Sequence, residues 1–300
     1  MLDGRKVLIT GAQGMLAQAF RAKLPAGTVA LSREDCDVRD RAAVMALRRY
    51  APDVVIHCAA NVNADACEGA PEECRRTQVE GTRNVLDMVR DCGATLLYPQ
   101  SFLIFDGVAQ PITETTAANP LSWYGQCKLE AARLIQNEWE DHLIVQMGGF
   151  FGGGAIDKNF VGKFVPHVCR LIASGTSEVA IGDRVWQPTW TQDLARNCLT
   201  LLNHGKTGTF NMAAHGEARF FDVAEHCVQC LGLASRMRVE CVPATAVQAK
   251  EKARRPQKAV MTNARLQAEG LDQQRPWRDS LTAYLNTDYF RDLIKGLAVD

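Results

Sequence analysis

A short apolar run followed by a glycine-containing turn near the N-terminus constrains the fold more than any other feature of the sequence. Residues 6–10, KVLIT, have the length of a buried strand, and residues 11–17, GAQGMLA, lead into a helical pattern that ends near residue 24. In such a strand–turn–helix unit, Gly11 permits the tight turn, Gly14 lets the backbone approach a pyrophosphate, and the small Ala17 lets helix and strand pack. The pattern predicts a nucleotide-binding unit; the alternative is a plain turn between a strand and a helix.

The composition is that of a globular protein and argues against several classes of function. The 300 residues are 47% hydrophobic and 23% charged, and 34 basic side chains balance 34 acidic ones. A chain without a basic surplus is not expected to bind a nucleic-acid polymer. The first ten residues contain no signal-peptide pattern, and no apolar run is long enough to span a bilayer. The sequence therefore predicts a cytoplasmic protein that does not insert into a membrane.

The eleven cysteines are scattered and odd in number, which does not suit a disulfide framework. The nearest approach to a metal motif is Cys227 and Cys230 in HCVQC, and no second pair follows at zinc spacing. We therefore expect reduced and mostly buried thiols, and no metal site.

Strand-length and helix-length patterns alternate through the first half of the chain. Further strands are predicted at 29–31, 54–58, 95–98 and 143–147, and helices at 41–50, at 71–92 and around Tyr124. This alternation predicts an α/β fold with a Rossmann-like doubly wound parallel sheet in residues 1–147.

The sequence changes in character after residue 147. A glycine-rich segment at 148–154 is expected to form a mobile loop that lines a cleft. The predicted helices are at 160–173, 191–203 and 220–231, and the predicted short strands are at 178–181, 209–211 and 238–242. We interpret residues 148–300 as mainly a smaller C-terminal substrate-binding lobe, with a return of the chain to the first sheet near residues 183–211.

A tyrosine and a lysine four residues apart are the strongest candidates for chemistry. Tyr124 and Lys128 would share one face of a helix, and a fixed ammonium favours ionisation of a nearby phenol. Ser101 follows the fourth strand at the carboxyl end, where open parallel sheets place their ligands, and its hydroxyl could hold a carbonyl oxygen. Each residue also has an ordinary alternative, such as an exposed lysine on a helix or a serine that caps a turn.

These features together resemble the extended short-chain dehydrogenase/reductase family, and within it the dTDP-4-dehydrorhamnose reductase group. The resemblance extends over nearly the whole chain. The motifs that carry it are DVRD at 37–40, PDVVIHCAA at 52–60, FDG at 105–107, PLSWYGQCK at 120–128 and QPT at 187–189, with Arg255, Pro256, Asn263 and Leu266 near the C-terminus.

The resemblance implies that NADPH or NADH reduces a 4-keto-6-deoxy nucleotide sugar. Tyr124 would be the general acid, Lys128 would bind the nicotinamide ribose and lower the pKa of Tyr124, and Ser101 would hold the ketone oxygen. Arg33 follows the second strand and suits a 2′-phosphate, so NADPH is the expected cofactor.

Two groups of residues are expected to contact the ligands. Those expected at the cofactor are Gly11, Gln13, Gly14, Met15, Leu16, Ser32, Arg33, Asp37, Val38, Cys58, Ala59, Ala60, Gln78, Gln100, Tyr124, Lys128 and Met147. Those expected at the nucleotide sugar are Val62, Ala64, Ser101, Phe102, Gly149, Phe150, Trp186, Gln187 and Arg255.

The chain departs from the family pattern at positions that would touch the sugar. Phe102 stands where the family usually has Asp, and Gly149 stands where a Trp packs near the sugar. The space at Gly149 either admits a differently shaped sugar or is filled by Phe150 or Trp186, so the preferred substrate need not be the rhamnose precursor. Phe150 and Phe151 either pack on an apolar sugar face or fill the core of the smaller lobe. In the helix before the fourth strand, Gln78 replaces an Asn.

Two other functions fit the same fold. A nucleotide-sugar epimerase or dehydratase would keep NAD bound, but dehydratases generally carry an acid pair where this chain has Phe102 and Leu103. A non-catalytic regulatory subunit, similar to the β subunit of methionine adenosyltransferase, would bind a protein partner instead. The sequence leaves the oligomeric state open, with a homodimer as one arrangement.

Overall fold

Strands and helices alternate through the first half of the chain, as the sequence predicts. The computed structural model describes residue 2 and residues 4–247 and 251–297. The strands of this half are β1 (Val7–Thr10), β2 (Val29–Leu31), β3 (Val54–His57), β4 (Thr95–Ser101) and β5 (His142–Met147). The helices are α1 (Met15–Arg21), α2 (Arg41–Met45), α3 (Ala64–Gly69), α4 (Pro71–Arg75), α5 (Gly81–Cys92) and α6 (Trp123–Glu138). A π turn at Arg76–Glu80 joins α4 to α5, and a 3-10 turn at Phe102–Ile104 follows β4.

The second half contains shorter strands between helices. The strands are β6 (Phe150–Phe151), β7 (Glu178–Gly182), β8 (Val185–Trp186), β9 (Thr189–Trp190), β10 (Gly208–Met212), β11 (Ala218–Arg219) and β12 (Arg238–Val242). The helices are α7 (Phe160–Ala173), α8 (Thr191–Asn203), α9 (Phe220–Cys230), α10 (Ala244–Val247), α11 (Ala264–Ala268), α12 (Trp277–Leu285) and α13 (Asp288–Lys295). The sequence analysis predicted α7 and α8 with these bounds and did not predict α3 or α10–α13.

A six-stranded parallel sheet forms the centre of the molecule. Its strand order is β10-β5-β4-β3-β1-β2, and each neighbouring pair is parallel. From β1 the chain goes to β2 on one side and then to β3 on the other, so the strand order reverses between β1 and β3. Open α/β sheets bind ligands in the crevice outside the carboxyl ends of the strands at such a point.

Helices cover both faces of this sheet. Alternate residues of β1 point to opposite faces, with Ile9 in the apolar layer under α1 and α8, and Leu8 in the layer under α2, α5 and α6. The layer under α1 and α8 also contains Leu266 of α11. This arrangement confirms the predicted α/β Rossmann-like class.

A second apolar core lies in the C-terminal part of the chain. It contains buried residues of α7, α9 and α12, with Trp186 of β8 and Phe290 of α13. Strand β10 pairs with β5 and belongs to the central sheet instead. The division of the chain at residue 147 stays a prediction. Among the helices of the described residues, none has both the length and the apolar character needed to cross a membrane.

Candidate active site

The glycine turn lies against the end of β3, at the reversal point of the sheet. Gly11 has a φ of +70°, and a Cβ on it would lie 2.7 Å from both N and Cα of Ala59. Only glycine allows this close approach with this backbone conformation. The turn is closed by a hydrogen bond from Gly14 N to Gly11 O of 2.9 Å. Ala59 and Ala60 are half-buried here, and their small side chains leave room beside the turn.

The other residues of the turn differ in what they present to a ligand. Gln13 is exposed, and its amide donates to Glu34. Met15 is half-buried, whereas Leu16 is buried in the apolar layer between the central sheet and helices α1 and α8. The side chain of Leu16 therefore belongs to the core, and only its backbone remains for the predicted cofactor contact.

Arg33 extends into solvent at the end of β2. Its side chain is 70% exposed, and its Nε lies 3.4 Å from Asp37 Oδ2. The neighbouring Ser32 is buried, and its backbone N and its Oγ both donate to Asp35 Oδ2 at 2.8 Å. Of these two neighbours, Arg33 is the one whose polar group is accessible to an anion.

Asp37 is held mainly by Arg39. The guanidinium of Arg39 donates to both carboxylate oxygens of Asp37, which lowers the pKa of this carboxyl group. Val38 is buried, and its carbonyl oxygen accepts a hydrogen bond from Asn84 Nδ2. The side chain of Val38 is thus a core residue, like that of Leu16.

A buried polar chain connects the ends of β1 and β3 with α5. Thr10 Oγ1 lies 2.8 Å from His57 Nδ1, and His57 Nε2 lies 3.2 Å from Thr82 Oγ1. Gln78, in the π turn, donates to Asn61 O at 2.7 Å. Burial, helped by the positive charge of Lys128, lowers the pKa of His57 to about 3. The sequence analysis missed Thr10, His57 and Thr82, although polar side chains in otherwise apolar strands were a signal that could have found them.

The structure brings Ser101 and Tyr124 together. Ser101 is the last residue of β4, and Tyr124 lies in the first turn of α6. Their side chains face each other, and the interaction with Ser101 favours the charged form of Tyr124, which lowers its pKa. Gly125 makes this possible, because a Cβ there would lie 2.3 Å from Leu103 O and would push α6 away from the turn after β4. Ser101 Oγ also accepts from Leu103 N, so the turn-capping role holds as well and leaves its hydroxyl hydrogen free to donate.

Lys128 lies beneath Tyr124 in a buried position. Its Nζ donates to Pro99 O at 2.7 Å and lies 3.8 Å from the centre of the Tyr98 ring. Burial lowers the pKa of Lys128 to about 7, because the charged form loses its hydration.

The expected effect of Lys128 on Tyr124 is not seen, which corrects the prediction. Burial raises the pKa of Tyr124 to about 12, and the interaction with Ser101 only partly opposes this. Desolvation disfavours the charged phenolate and is the largest cause of the raised pKa.

Gln100 fixes β4 to α6 between the two catalytic candidates. Its Nε2 donates to Lys128 O at 2.8 Å, and its Oε1 accepts from Ser101 N at 2.8 Å. Gln100 is buried, and both of its polar atoms are used within the protein. It therefore positions Ser101 and Lys128, and its contact with a cofactor stays a prediction.

Trp186 fills the space beside Gly149. A Cβ on Gly149 would lie 2.4 Å from Trp186 Cε3 and 3.5 Å from Phe102 Cε1. The Trp186 indole is buried and stacks on Phe220 at 4.7 Å between ring centres, with 7° between the planes. Of the two alternatives for Gly149, the structure therefore has the one in which Trp186 occupies the space. Phe102 and Trp186 therefore form an aromatic wall beyond the carboxyl ends of β4 and β5.

The other sugar-site candidates are distributed differently from the prediction. Gln187 is buried: its Nε2 donates to Ala214 O and Met261 O, and its Oε1 accepts from Met261 N, so it fixes the strand of Trp186 and has no free amide group. Phe151 is fully buried in the core of the C-terminal part of the chain. Phe150 is half-buried against the apolar layer between the central sheet and helices α1 and α8. Of the two alternatives for Phe151, the structure has the one in which its ring fills the core of the C-terminal part of the chain.

Three further candidates lie at or next to α3, namely Val62, Ala64 and Arg255. Val62 is 64% exposed, and Ala64 is buried in one cluster with Tyr124 and Ala253. Arg255 donates from Nη2 to Asp65 Oδ2 at 3.0 Å.

Two remaining candidates lie next to the strand ends. Cys58 follows β3, is half-buried, and has its pKa raised to about 12 by desolvation. Met147 ends β5 and pairs with Ser101 in the sheet. Seven of the eleven cysteines are buried, which confirms the prediction of mostly buried thiols. The described residues contain no group of three or more metal-ligating side chains arranged to hold an ion.

Comparison with known proteins places the chain in a family. The family model described as RmlD substrate binding domain matches residues 5–290. A dTDP-4-keto-6-deoxy-D-glucose reductase of Streptomyces niveus is 30% identical over 92% of this chain and 94% of its own length. Methionine adenosyltransferase 2 subunit beta of Xenopus tropicalis is 30% identical over 67% of this chain and 63% of its own length.

The fold agrees with the same family. The crystal structure of a dTDP-4-dehydrorhamnose reductase from Clostridium acetobutylicum ATCC 824 has a TM-score of 0.86 and 28% identity, with 94% of this chain and 98% of that chain covered. These matches confirm the resemblance predicted from the motifs. The chain belongs to the RmlD substrate binding domain family.

Proposed function

We propose that this chain is an NADPH-dependent reductase that converts the C4 ketone of a 4-keto-6-deoxy nucleotide sugar to an alcohol. The observation that carries the proposal is the convergence of Ser101, Tyr124 and Lys128 at the carboxyl ends of the central strands. The reductase from Streptomyces niveus, which matches this chain along nearly its whole length, supports this substrate class.

Tyr124 is the proton donor in this proposal. Bound NADPH would supply the hydride that reduces the carbonyl carbon. The Tyr124 hydroxyl gives its proton to the carbonyl oxygen. A pKa raised to about 12 keeps the hydroxyl protonated at neutral pH, which is the form that a donor needs. Ser101 donates its free hydroxyl hydrogen to the same oxygen. Proton transfer from a positioned acid contributes about 10²- to 10⁴-fold to the rate.

The Gly11 turn would hold the dinucleotide, Lys128 would hold the nicotinamide ribose, and Arg33 would hold the 2′-phosphate. The fit rests on two observations. The turn presents no side chain at Gly11 or Gly14, and the exposed guanidinium of Arg33 has only a long contact to Asp37. A guanidinium forms strong charge-assisted hydrogen bonds with phosphate.

The sugar lies between Ser101, Tyr124 and the aromatic wall of Phe102 and Trp186. An apolar ring surface suits a 6-methyl group, because it buries the methyl without leaving a hydroxyl unpaired. Gln100 and Gln187 act as positioning residues behind this site.

Turnover tests the function directly. We expect the purified chain to oxidise NADPH in molar excess over protein when given dTDP-4-keto-6-deoxy sugars, and Tyr124→Phe to lower kcat by about 10²- to 10⁴-fold while NADPH still binds. Tyr50→Phe, in the 3-10 turn that precedes β3 and therefore at the amino ends of the strands, is the control. Interconversion of sugar isomers without net NADPH oxidation would indicate an epimerase. Tight NADPH binding without any turnover would indicate a regulatory subunit.

Cofactor preference has its own test. Arg33→Ala should weaken NADPH binding about 10- to 100-fold, since a hydrogen bond to a charged group contributes about 1.5–3 kcal/mol, and should leave NADH nearly unchanged. Arg21→Ala removes an exposed arginine at the C-terminal end of α1, away from the glycine turn, and is the control. Equal losses for both cofactors would mean that Arg33 does not read the 2′-phosphate. The homodimer also remains a prediction, which sedimentation of the purified chain can test.

A further inference from the structure

Lys128 is buried without an opposite charge that would offset the loss of its hydration. The residue is 4% exposed, and its Nζ donates to a neutral acceptor, Pro99 O, at 2.7 Å. Among the described residues, no carboxylate forms an ion pair with it. A buried ammonium is normally paired with a carboxylate or gives up its proton. A different kind of contact is therefore needed to favour the charged form of Lys128.

The ring of Tyr98 occupies the place of a counter-ion. Tyr98 lies in the middle of β4, and Lys128 Nζ lies 3.8 Å from the centre of its ring. The face of an aromatic ring carries negative charge density and attracts an ammonium, and the attraction is strongest where water is excluded. Both side chains are buried. The ring therefore stabilises the ammonium of Lys128 more than its neutral amine.

The hydroxyl of Tyr98 is not needed for this contact. It faces Thr82 but makes no hydrogen bond within the described ranges, because Thr82 Oγ1 donates to Gln78 O at 2.6 Å instead. Burial raises the pKa of Tyr98, so its phenol stays neutral. The part of Tyr98 that acts on Lys128 is thus the face of the ring, which a phenylalanine would also provide.

The other titratable groups whose charge is coupled to Lys128 are neutral at physiological pH. Burial, helped by the charge of Lys128, lowers the pKa of His57 to about 3. Burial raises the pKa of the Cys58 thiol and of the Tyr124 phenol, each to about 12. Burial lowers the pKa of Lys128 itself to about 7. Among these groups only Lys128 changes its charge near neutral pH, so a titration in that range reports on Lys128.

We propose that Tyr98 is a positioning residue whose ring face holds the Lys128 side chain in its charged form, fixed at β4 where the ammonium can reach the nicotinamide ribose. The part that concerns the ribose rests on the proposed function. An ammonium has three N–H donors, and Pro99 O uses one of them. The contact with the ring therefore keeps the charge on Lys128 and leaves donors for the ribose hydroxyls.

An NMR titration of the full chain measures the charge of Lys128 without cofactor or substrate. In protein that carries isotope-labelled lysine, the signal that disappears in Lys128→Met belongs to Lys128. Tyr98→Leu removes the ring and should move the midpoint of this titration about one pH unit lower than in the wild type. Tyr98→Phe keeps the ring and should match the wild type. Phe290→Leu, which removes an equally buried ring from α13, is the control and should also match it.

Fluorination of the ring separates the contact with the ammonium from packing. Pentafluorophenylalanine at residue 98 keeps the size of the ring in Tyr98→Phe and removes the negative charge density from its face, so the midpoint should fall below that of Tyr98→Phe. This variant tests the inference even where Tyr98→Leu does not fold. A fluorinated ring that leaves the midpoint unchanged would overturn the inference, as would a midpoint in Tyr98→Phe as low as in Tyr98→Leu.

The pH profile of turnover connects the contact to the proposed function. In the wild type, kcat/KM should fall as the pH rises through the Lys128 midpoint near about 7, because the charged ammonium is lost. In Tyr98→Leu the fall should begin about one pH unit lower. Identical profiles in the two proteins, in spite of a shifted NMR midpoint, would overturn the part of the inference that concerns the ribose.

The two measurements also distinguish failure of this inference from failure of the proposed function. A chain whose NMR midpoints shift as expected but which reduces no keto sugar keeps the contact between Tyr98 and Lys128 and loses the reductase function. A chain that reduces a keto sugar with the same NMR midpoint in wild type and Tyr98→Leu keeps the function and loses the inference.

Discussion

Gly149 shows how a single missing side chain shapes the candidate sugar site. The ring of Trp186 occupies the position that a Cβ would take, at 2.4 Å, and the ring cannot easily move because it stacks on Phe220. From the sequence, Gly149 alone indicated a gap, with Trp186 as one of the residues that could fill it. In the structure, Trp186 of β8 fills that gap from a distant part of the chain. The candidate sugar site therefore has a different wall residue and no additional space at Gly149.

A methyl group at residue 149 should therefore damage the site. We expect Gly149→Ala to lower the free energy of unfolding by about 1–3 kcal/mol, as overpacking usually does, and to raise KM for the keto sugar while NADPH affinity stays the same. Urea unfolding and steady-state kinetics measure the two effects. Gly27→Ala, where a Cβ meets nothing within 4 Å, is the control.

Relief of the clash gives a second check on the same prediction. In the double variant Gly149→Ala with Trp186→Leu, the shorter side chain should restore part of the lost stability. If the two substitutions are simply additive, Trp186 does not limit the space at residue 149.

At the scale of elements, long periodic segments were predictable and short ones were not. Helices α7 and α8 have the predicted bounds, because their apolar faces repeat over several turns. The unpredicted α3, α11 and α13 are eight residues or shorter. Helices of this length are stabilised by packing rather than by their own sequence, as the burial of Leu266 and Phe290 shows.

The residues of the candidate site also differed in how well the sequence predicted them. Ser101, Tyr124 and Lys128 were found because motif and strand position mark them. The contact of His57 with Thr10 was not found, since the two residues are 47 apart along the chain. The bonds of Gln100 and Gln187 to backbone groups were not predicted, because a glutamine that serves backbone groups looks in the sequence like one that serves a ligand.

Gln100 allows a test of how tightly β4 and α6 must be joined. Gln100→Leu keeps similar bulk and removes the bonds to Lys128 O and Ser101 N. We expect a loss of about 1–3 kcal/mol in stability, since a buried donor loses its partner, and a fall in kcat of up to about 10²-fold from misplacement of Ser101. Gln136→Leu, which removes an exposed bond from α6, is the control. An unchanged kcat would show that Gln100 is structural only.

At the scale of the whole molecule, a row of hydrogen-bonded polar side chains crosses the interior between the two apolar layers. Thr10, His57 and Thr82 join β1, β3 and α5 directly behind the glycine turn. His57 is buried, and Lys128 adds positive charge nearby, so only neutral imidazole is compatible with the folded state. The stability of the sheet at the cofactor turn is therefore linked to pH.

The sign of this linkage follows from the pKa of His57, which is about 3 in the folded chain and about 6.5 in an unfolded one. Between these values the unfolded chain binds the extra proton, so the His57 contribution is complete above about pH 6.5 and decreases as pH falls toward 3. By the same linkage it amounts to at most about 5 kcal/mol. Urea unfolding of the wild type and of His57→Gln at pH 7.5, 6, 5 and 4 measures it. The variant, whose amide has no such titration, should lose less stability on acidification, while His167→Gln, an exposed histidine on α7, should follow the wild type. Parallel curves for wild type and His57→Gln would show that His57 does not control acid stability.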